Sequence, residues 1–160
     1  MLSVTSKYAL RALTHLATLS EGETMLGKDL AKRAQIPGNY LSKILWTLGS
    51  AGLISATRGS GGGYRLRRMP DEIFLVEVVD LFDRSRIEPT CFLGEDRACS
   101  DADACAAHGL WKQVRSVYMH FLQSTTLAHI AHGAPPVGKR ATGPKKKNTR
   151  LVQLSRGPGA

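Results

Sequence analysis

The sequence predicts a mainly α fold with a small β-wing, a winged helix-turn-helix followed by one long helix. Three observations predict it. Apolar residues recur at helical spacing in three segments of the first fifty residues. A glycine-rich run, RGSGGGYRLRR, then joins two short β-prone stretches. Further on, Leu110, Val114, Val117 and Phe121 step by four, three and four along one helical segment. That heptad spacing suits a helix-on-helix seam.

The first helix is expected from about Ser3 to Leu19, where Ala9, Leu13, Leu16 and Ala17 share a face. EGET reads as a polar turn. A short helix follows over Gly27 to Ala34, with Leu30, Ala31 and Ala34 inward. IPGN then breaks the pattern: Pro37 and Gly38 punctuate, and Asn39 is a good N-cap. The third helix is expected from about Tyr40 to Ala51, with Leu41, Ile44, Leu45 and Leu48 as its buried stripe and Gly52 placed to stop it. Two helices joined by a tight Gly-containing turn, after a first helix, match the helix-turn-helix, and equally any small bundle.

The next segment separates these readings. Leu53 to Thr57 and Tyr64 to Arg68 give a hairpin signal, and a hairpin after the third helix is a wing. Gly59, Gly61, Gly62 and Gly63 leave little side-chain bulk, so the tip could approach a nucleic-acid backbone closely. The run does not fit G-x-x-x-x-G-K-[ST], and no helix follows the strand, which argues against a nucleotide-phosphate loop. A fourth helix is expected from Leu75 to Asp83, with Leu75, Val78, Val79 and Phe82 on its core face. The long helix should run from about Ala107 to Gln123, and a short last one from Thr126 to Ile130. Trp46 and Trp111 lie on helices and are expected to pack.

The organisation follows: a winged helix-turn-helix over 1–86, a cysteine-rich segment over 87–106, a dimerisation helix and short C-terminal helix over 107–132, and a basic tail over 133–160. The tail's Pro, Gly and Lys content predicts disorder. The net charge of +9 is uneven, because seven basic residues and no acid lie in the tail, leaving +2 before it. Ten acids fall between Asp71 and Asp103, so the first seventy residues are basic. Basicity confined to one segment points to a polyanion partner. No apolar run approaches the ~18–20 residues that span a bilayer. Arg11 interrupts the apolar pattern at the N-terminus and no small-residue cleavage site follows, so that segment reads as a helix of the fold. A cytoplasmic protein without membrane contact is expected. Nothing resembles a catalytic constellation, so neither an enzyme nor a small-molecule substrate is expected.

All three cysteines lie in one acidic segment, spaced Cys91-x7-Cys99-x5-Cys105-x2-His108. A disulfide framework would use an even number. Clustered thiols in a reducing compartment more often bind metal or do redox chemistry. Three thiolates and an imidazole make a complete four-ligand set, and soft sulfur selects zinc, Cu(I) or iron–sulfur clusters. Structural zinc favours tight C-x2–4-C knuckles, which are missing, and wider loops suit an iron–sulfur cluster. A zinc staple stays open as an alternative. The acids nearby argue against a low-pKa catalytic thiol, which needs cations beside it.

NYLSKILWTLGSAGLI, RGSGGGYRL and CAAHGLW followed by FLQSTTLAHI resemble the winged-helix iron–sulfur transcription regulators of bacteria, the IscR/NsrR type. The resemblance covers about Met1 to His132. It implies a homodimer crossing through the long helix, a double-stranded DNA operator, and cluster ligation by Cys91, Cys99 and Cys105. In the assembly-regulator branch a histidine three residues after the third cysteine ligates a 2Fe–2S cluster, and His108 stands there. In the nitric-oxide branch an aspartate of the first helix serves a 4Fe–4S cluster. Lys7 stands at the matching place, and an ammonium cannot ligate iron. A 2Fe–2S cluster reporting redox, cluster or iron status is therefore favoured, and a nitric-oxide-sensing 4Fe–4S repressor is the alternative. The gap from Cys91 to Cys99 is longer than those branches commonly show.

The third helix should enter the major groove with its N-terminal residues at base edges. Its outward positions are Asn39, Tyr40, Ser42 and Lys43. Asn39 is expected either to bond adenine or to cap the helix, and Tyr40 to touch phosphate or sit half in the core. Ser42 stands where the resembled family often has a glutamate. Lys28, Lys32 and Lys43 are phosphate candidates. Arg58 at the wing tip suits a narrow minor groove, with Arg65 the second choice. Leu110, Val114, Val117 and Phe121 are the candidate dimer seam.

Overall fold

Ser3 starts the first helix by accepting the Ser6 N–H on its hydroxyl at 3.1 Å, an N-cap that satisfies one orphan donor. The computed structural model describes residues 2–59, 61–87, 91–93, 101 and 104–133, and Cys99 and the tail from 134 onward lie outside them. Helix α1 spans Val4–Ala17 and buries Ser6, Ala9, Ala12, Leu13, Leu16 and Ala17. Helix α2 spans Gly27–Ala34 and α3 spans Gly38–Ser50.

The turn between α2 and α3 differs from the expected one. Its left-handed residue is Gln35 (φ 53), not a glycine. The Ile36 N–H reaches Ala31 O at 2.9 Å and the Gln35 N–H reaches Lys32 O at 3.3 Å, the paired bonds of a Schellman ending. Gly38 lies inside α3, and Asn39 is not its N-cap. Pro37 holds that position, because its fixed φ suits a helix entrance and it has no N–H to satisfy. Asn39 Oδ1 instead accepts the Tyr40 N–H at 2.9 Å. At the other end Gly52 (φ +74) closes α3 as expected. Leu53 donates to Leu48 O and Gly52 to Gly49 O, each at 3.0 Å.

Strands β1 (Ile54–Thr57) and β2 (Gly63–Leu66) form the antiparallel wing, with Ile54 opposite Leu66 and Thr57 opposite Gly63. The outer edge of β2 is also paired. Tyr64 donates to Met25 O at 2.8 Å and accepts from Met25 N at 3.0 Å. The wing is thus fastened to the segment that leads into α2.

A 3-10 turn, Pro70–Glu72, precedes α4, Leu75–Ile87. Asp83 breaks the helical geometry within α4 (φ −130) and is only 3% exposed. Its Oδ2 accepts the Ser3 N–H at 2.8 Å, a carboxylate set against the N-terminus of α1, where the helix dipole favours it. Helix α5, His108–Ser124, leads through Thr125 and Thr126 to α6, Leu127–His132. There the chain returns to its start: Leu75 donates to Thr125 O at 2.9 Å and Leu127 to Ile73 O at 2.8 Å. Leu127 is buried in one core cluster with Leu13, Leu30, Leu48 and Ile73. A second, smaller cluster of Leu75, Val79 and Leu122, with Tyr118 and Met119 beside it, joins α4 to α5. Among the described residues no helix is long and apolar enough to cross a membrane.

Of the two tryptophans expected to pack, one does. Trp111 is half-buried with its ring 5.3 Å from that of Phe92. Trp46 is 75% exposed.

Candidate nucleic-acid interface and thiol site

Burying Leu41, Ile44, Leu45 and Leu48 forces the opposite stripe of α3 outward. Asn39, Ser42 and Lys43 are exposed on it. Ser42 Oγ donates to Gly38 O at 3.0 Å, which leaves the hydroxyl's lone pairs outward. Tyr40 is exposed rather than half in the core, but it is held against α1. Its ring meets Tyr8 edge-on at 5.7 Å, and its hydroxyl lies 2.8 Å from Thr5 Oγ1. These contacts clamp the entrance of α3 to α1.

Lys28 is exposed at the start of α2, and Arg58 is exposed just beyond β1. Arg65 is exposed on β2 and donates Nε–H to Ser55 Oγ at 3.4 Å. Helix α1 carries two further cations. Arg11 lies 5.6 Å over the Tyr8 ring and donates to Gln35 Oε1 at 3.4 Å. It therefore adds a cation at the turn, and Lys7 lies one helical turn before it. Their i, i+4 spacing on the polar face of α1 was the available signal.

Arg68 serves structure instead. Its Nη1 lies 2.6 Å from Glu77 Oε2, and it also donates to the Glu72 carbonyl. Its pKa is raised by the Glu77 hydrogen bond first, with desolvation opposing and the charges of Glu77 and Glu72 adding. Burial alone would push the Glu77 carboxyl up. The Arg68 hydrogen bond, the Phe74 N–H and the Arg68 charge outweigh it, so the net shift is downward.

Two of the wing glycines are also required within the fold. A Cβ on Gly62 would lie 2.4 Å from Thr57 O, and one on Gly63 would lie 2.7 Å from the Met25 carbonyl. Both glycines are buried. They are required by the protein's own backbone, whereas Gly59 and Gly61 have open space and positive φ.

The thiols of Cys91 and Cys105 lie 3.9 Å apart, both half-buried and not joined as a disulfide. Two sulfurs on one tetrahedral metal, with metal–sulfur bonds of about 2.3 Å, are about 3.8 Å apart. The pair therefore fits thiolate ligation of a single metal atom. His108 opens α5, its N–H donating to Cys105 O at 3.0 Å. Its side chain is 17% exposed, with Nε2 2.9 Å from Asp101 Oδ1. Lys112 Nζ lies 2.8 Å from Asp101 Oδ2. The Asp101 carboxyl is held below its ordinary range by the Lys112 hydrogen bond first and the His108 one second. Among the described residues no metal set of three or more His, Cys, Asp or Glu is assembled; Cys99 lies outside them.

Past the thiols, α5 carries its apolar row in the open. Leu110, Val114, Val117 and Phe121 are between 49% and 71% exposed. Leu122 faces the core of this chain instead.

Residues 2–133 match Rrf2, a family described as an iron-dependent transcriptional regulator. The chain belongs to the Rrf2 family. This Rrf2 protein is 32% identical over 124 residues to the HTH-type transcriptional regulator IscR of Xenorhabdus nematophila, across 78% of this chain and 74% of that one. It is 32% identical over 123 residues to the HTH-type transcriptional regulator NsrR of Bacillus licheniformis, across 77% of this chain and 86% of that one. Its fold superposes on CymR, the global cysteine regulator of B. subtilis, with a TM-score of 0.68 at 26% identity, over 82% of this chain and 96% of that one. It is thus a DNA-binding transcriptional regulator built as a winged helix, and its homologues are regulators rather than enzymes.

Proposed function

We propose that this Rrf2 protein acts as a homodimer whose operator binding is switched by an iron–sulfur cluster, 2Fe–2S in preference to 4Fe–4S. Cys91, Cys99, Cys105 and His108 would hold the cluster. The observation that carries the reading is the pair of Cys91 and Cys105 sulfurs 3.9 Å apart, directly before the helix that bears the uncovered apolar row. His108 Nε2 lies 2.9 Å from Asp101 Oδ1. That arrangement follows the common pattern in which a carboxylate orients a ligating imidazole. When bound, the cluster supplies redox-sensitive iron–sulfur bonds.

The chain's own residues supply the connection to DNA. Asp83, at the kink within α4, ties the helix that leads to the thiol segment to the start of α1. Helix α1 in turn grips α3 through Thr5, Tyr8 and Tyr40. Leu110, Val114, Val117 and Phe121 would pair with their copies in a second chain and so set the spacing of two reading heads. Lys43, Lys28, Arg58 and Arg65 would contact phosphate or groove, and Asn39 and Ser42 base edges. A ligand that favours one arrangement of these elements shifts the population toward it.

The same sulfur spacing suits zinc, so a zinc-stapled module without sensing is the second reading. Anaerobic purification separates the two. The proposal expects a coloured protein containing iron and acid-labile sulfide, with absorption lost in Cys91→Ser and Cys105→Ser and altered in His108→Ala. A colourless protein with stoichiometric zinc would overturn it. A cluster whose spectrum ignores His108→Ala would move the fourth ligand elsewhere and favour the nitric-oxide-responsive 4Fe–4S alternative.

A further inference from the structure

Trp46 is the largest side chain on the outer face of α3 and is 75% exposed. Asn39, Ser42, Lys43 and Trp46 stand at i, i+3, i+4 and i+7, so they form one exposed stripe. Nothing in the described chain covers the indole. Its stripe neighbours Ser42, Lys43 and Ser50 are polar or cationic, and α3 contains no acid. An isolated indole among such residues does not make the contiguous apolar patch that protein interfaces favour. The row on α5, with four large apolar side chains in sequence, is the contrast.

We propose that Trp46 is a DNA-contacting residue at the rim of the major groove. Its ring would lie on deoxyribose and its Nε1–H would face a phosphate. The inference rests on reading α3 as the recognition helix. From Asn39 to Trp46 a helix rises about 10.5 Å, close to the roughly 12 Å width of the major groove. A helix that enters by its N-terminal end therefore brings a side chain two turns later to the groove wall. Indole suits that wall because it is apolar over most of its surface and carries a donor without an acceptor. Every nucleotide offers the same sugar and phosphate, so the contact fixes the helix's register rather than reading a base.

The test uses the full chain purified anaerobically. The probe is a duplex enriched from a random-sequence pool by the unaltered protein. The chain has two tryptophans, so Trp111→Phe leaves Trp46 as the only one. Duplex binding should shift Trp46 emission and protect it from acrylamide. Trp46→Ala should weaken binding at least about tenfold, the scale expected for uncovering an aromatic side chain. Its salt dependence should stay as it was, because no charge is removed. Lys43→Ala should instead flatten the salt slope by about 0.9. Alanine is a strong helix former at an exposed position, and circular dichroism verifies that each variant folds. Unchanged acrylamide quenching, or affinity within twofold for Trp46→Ala, overturns the proposal when Lys43→Ala behaves as expected. Should neither the Trp46 nor the Lys43 variant alter binding, α3 is not the recognition helix and the proposal falls with that reading.

Discussion

Gly63→Ala tests whether the wing is held by its contact with the segment before α2. A Cβ there would sit 2.7 Å from both the carbonyl carbon and oxygen of Met25 and 3.1 Å from Leu26 N. Relief to an ordinary contact of 3.4 Å needs a shift of about 0.7 Å between two backbones. Those backbones are joined by bonds of 2.8 and 3.0 Å between Tyr64 and Met25. The shift stretches both to about 3.5 Å or beyond, where a hydrogen bond is largely lost. Two lost bonds cost about 1–3 kcal/mol. The positive φ of Gly63, 154°, adds about 1–2 kcal/mol of strain for a residue with a Cβ. Urea unfolding followed by circular dichroism should therefore show a loss of about 2–5 kcal/mol. Gly61→Ala is the control: its φ is +79 but nothing lies within 4 Å, so only about 1–2 kcal/mol is expected. If Gly63→Ala unfolds at the same midpoint as Gly61→Ala, the Met25 contact does not hold the wing and the reasoning fails.

Two further outcomes are expected. Glu77 has a lowered pKa in the fold. Its contribution is therefore complete above the ordinary glutamate value of about 4.3 and disappears as pH falls through the lower folded value. Both partners are more than a third exposed or close to it, so the amount is below about 1 kcal/mol. Glu77→Gln should show a shallower loss of stability below that pH; acid titrations that superimpose would refute the ion pair's role. Val117→Glu places a charge in the middle of the uncovered row of α5. Sedimentation should show the unaltered protein as a dimer and this variant as a monomer, with helix content retained by circular dichroism. A variant that sediments like the unaltered protein would show that the row is not the interface.

Helices α1 to α4 were legible because each buries a stripe whose spacing shows in the sequence, α5 because its uncovered row keeps the same spacing, and the wing because a glycine run parts two β-prone stretches. Gly52 was legible as a helix end for the same local reason. The turn between α2 and α3 was not, because a left-handed Gln35 leaves no compositional mark, while Pro37 and Gly38 suggested the break two residues late. The reason for Gly63 was hidden since it depends on Met25, a residue distant in sequence, and that for Gly62 since it depends on how tightly the wing folds back on Thr57. Asp83 looked like any surface carboxylate, and its burial against Ser3 exists only once α1 and α4 are packed. Trp46 could have been placed: it falls outside the stripe of Leu41, Ile44, Leu45 and Leu48, and helical spacing alone puts it outward. For the thiol site the donor types were readable, and the approach of Cys91 to Cys105 was not.

The docking of α6 has one more consequence. The bonds joining Ile73 and Leu75 to Leu127 and Thr125 bring the chain back to where α4 sets out. The thiol segment and α5 are therefore strung on a closed circuit, with both ends moored in the same hydrophobic mass as α1. The two ends of that circuit cannot part without breaking the bonds of Leu75 to Thr125 and of Leu127 to Ile73.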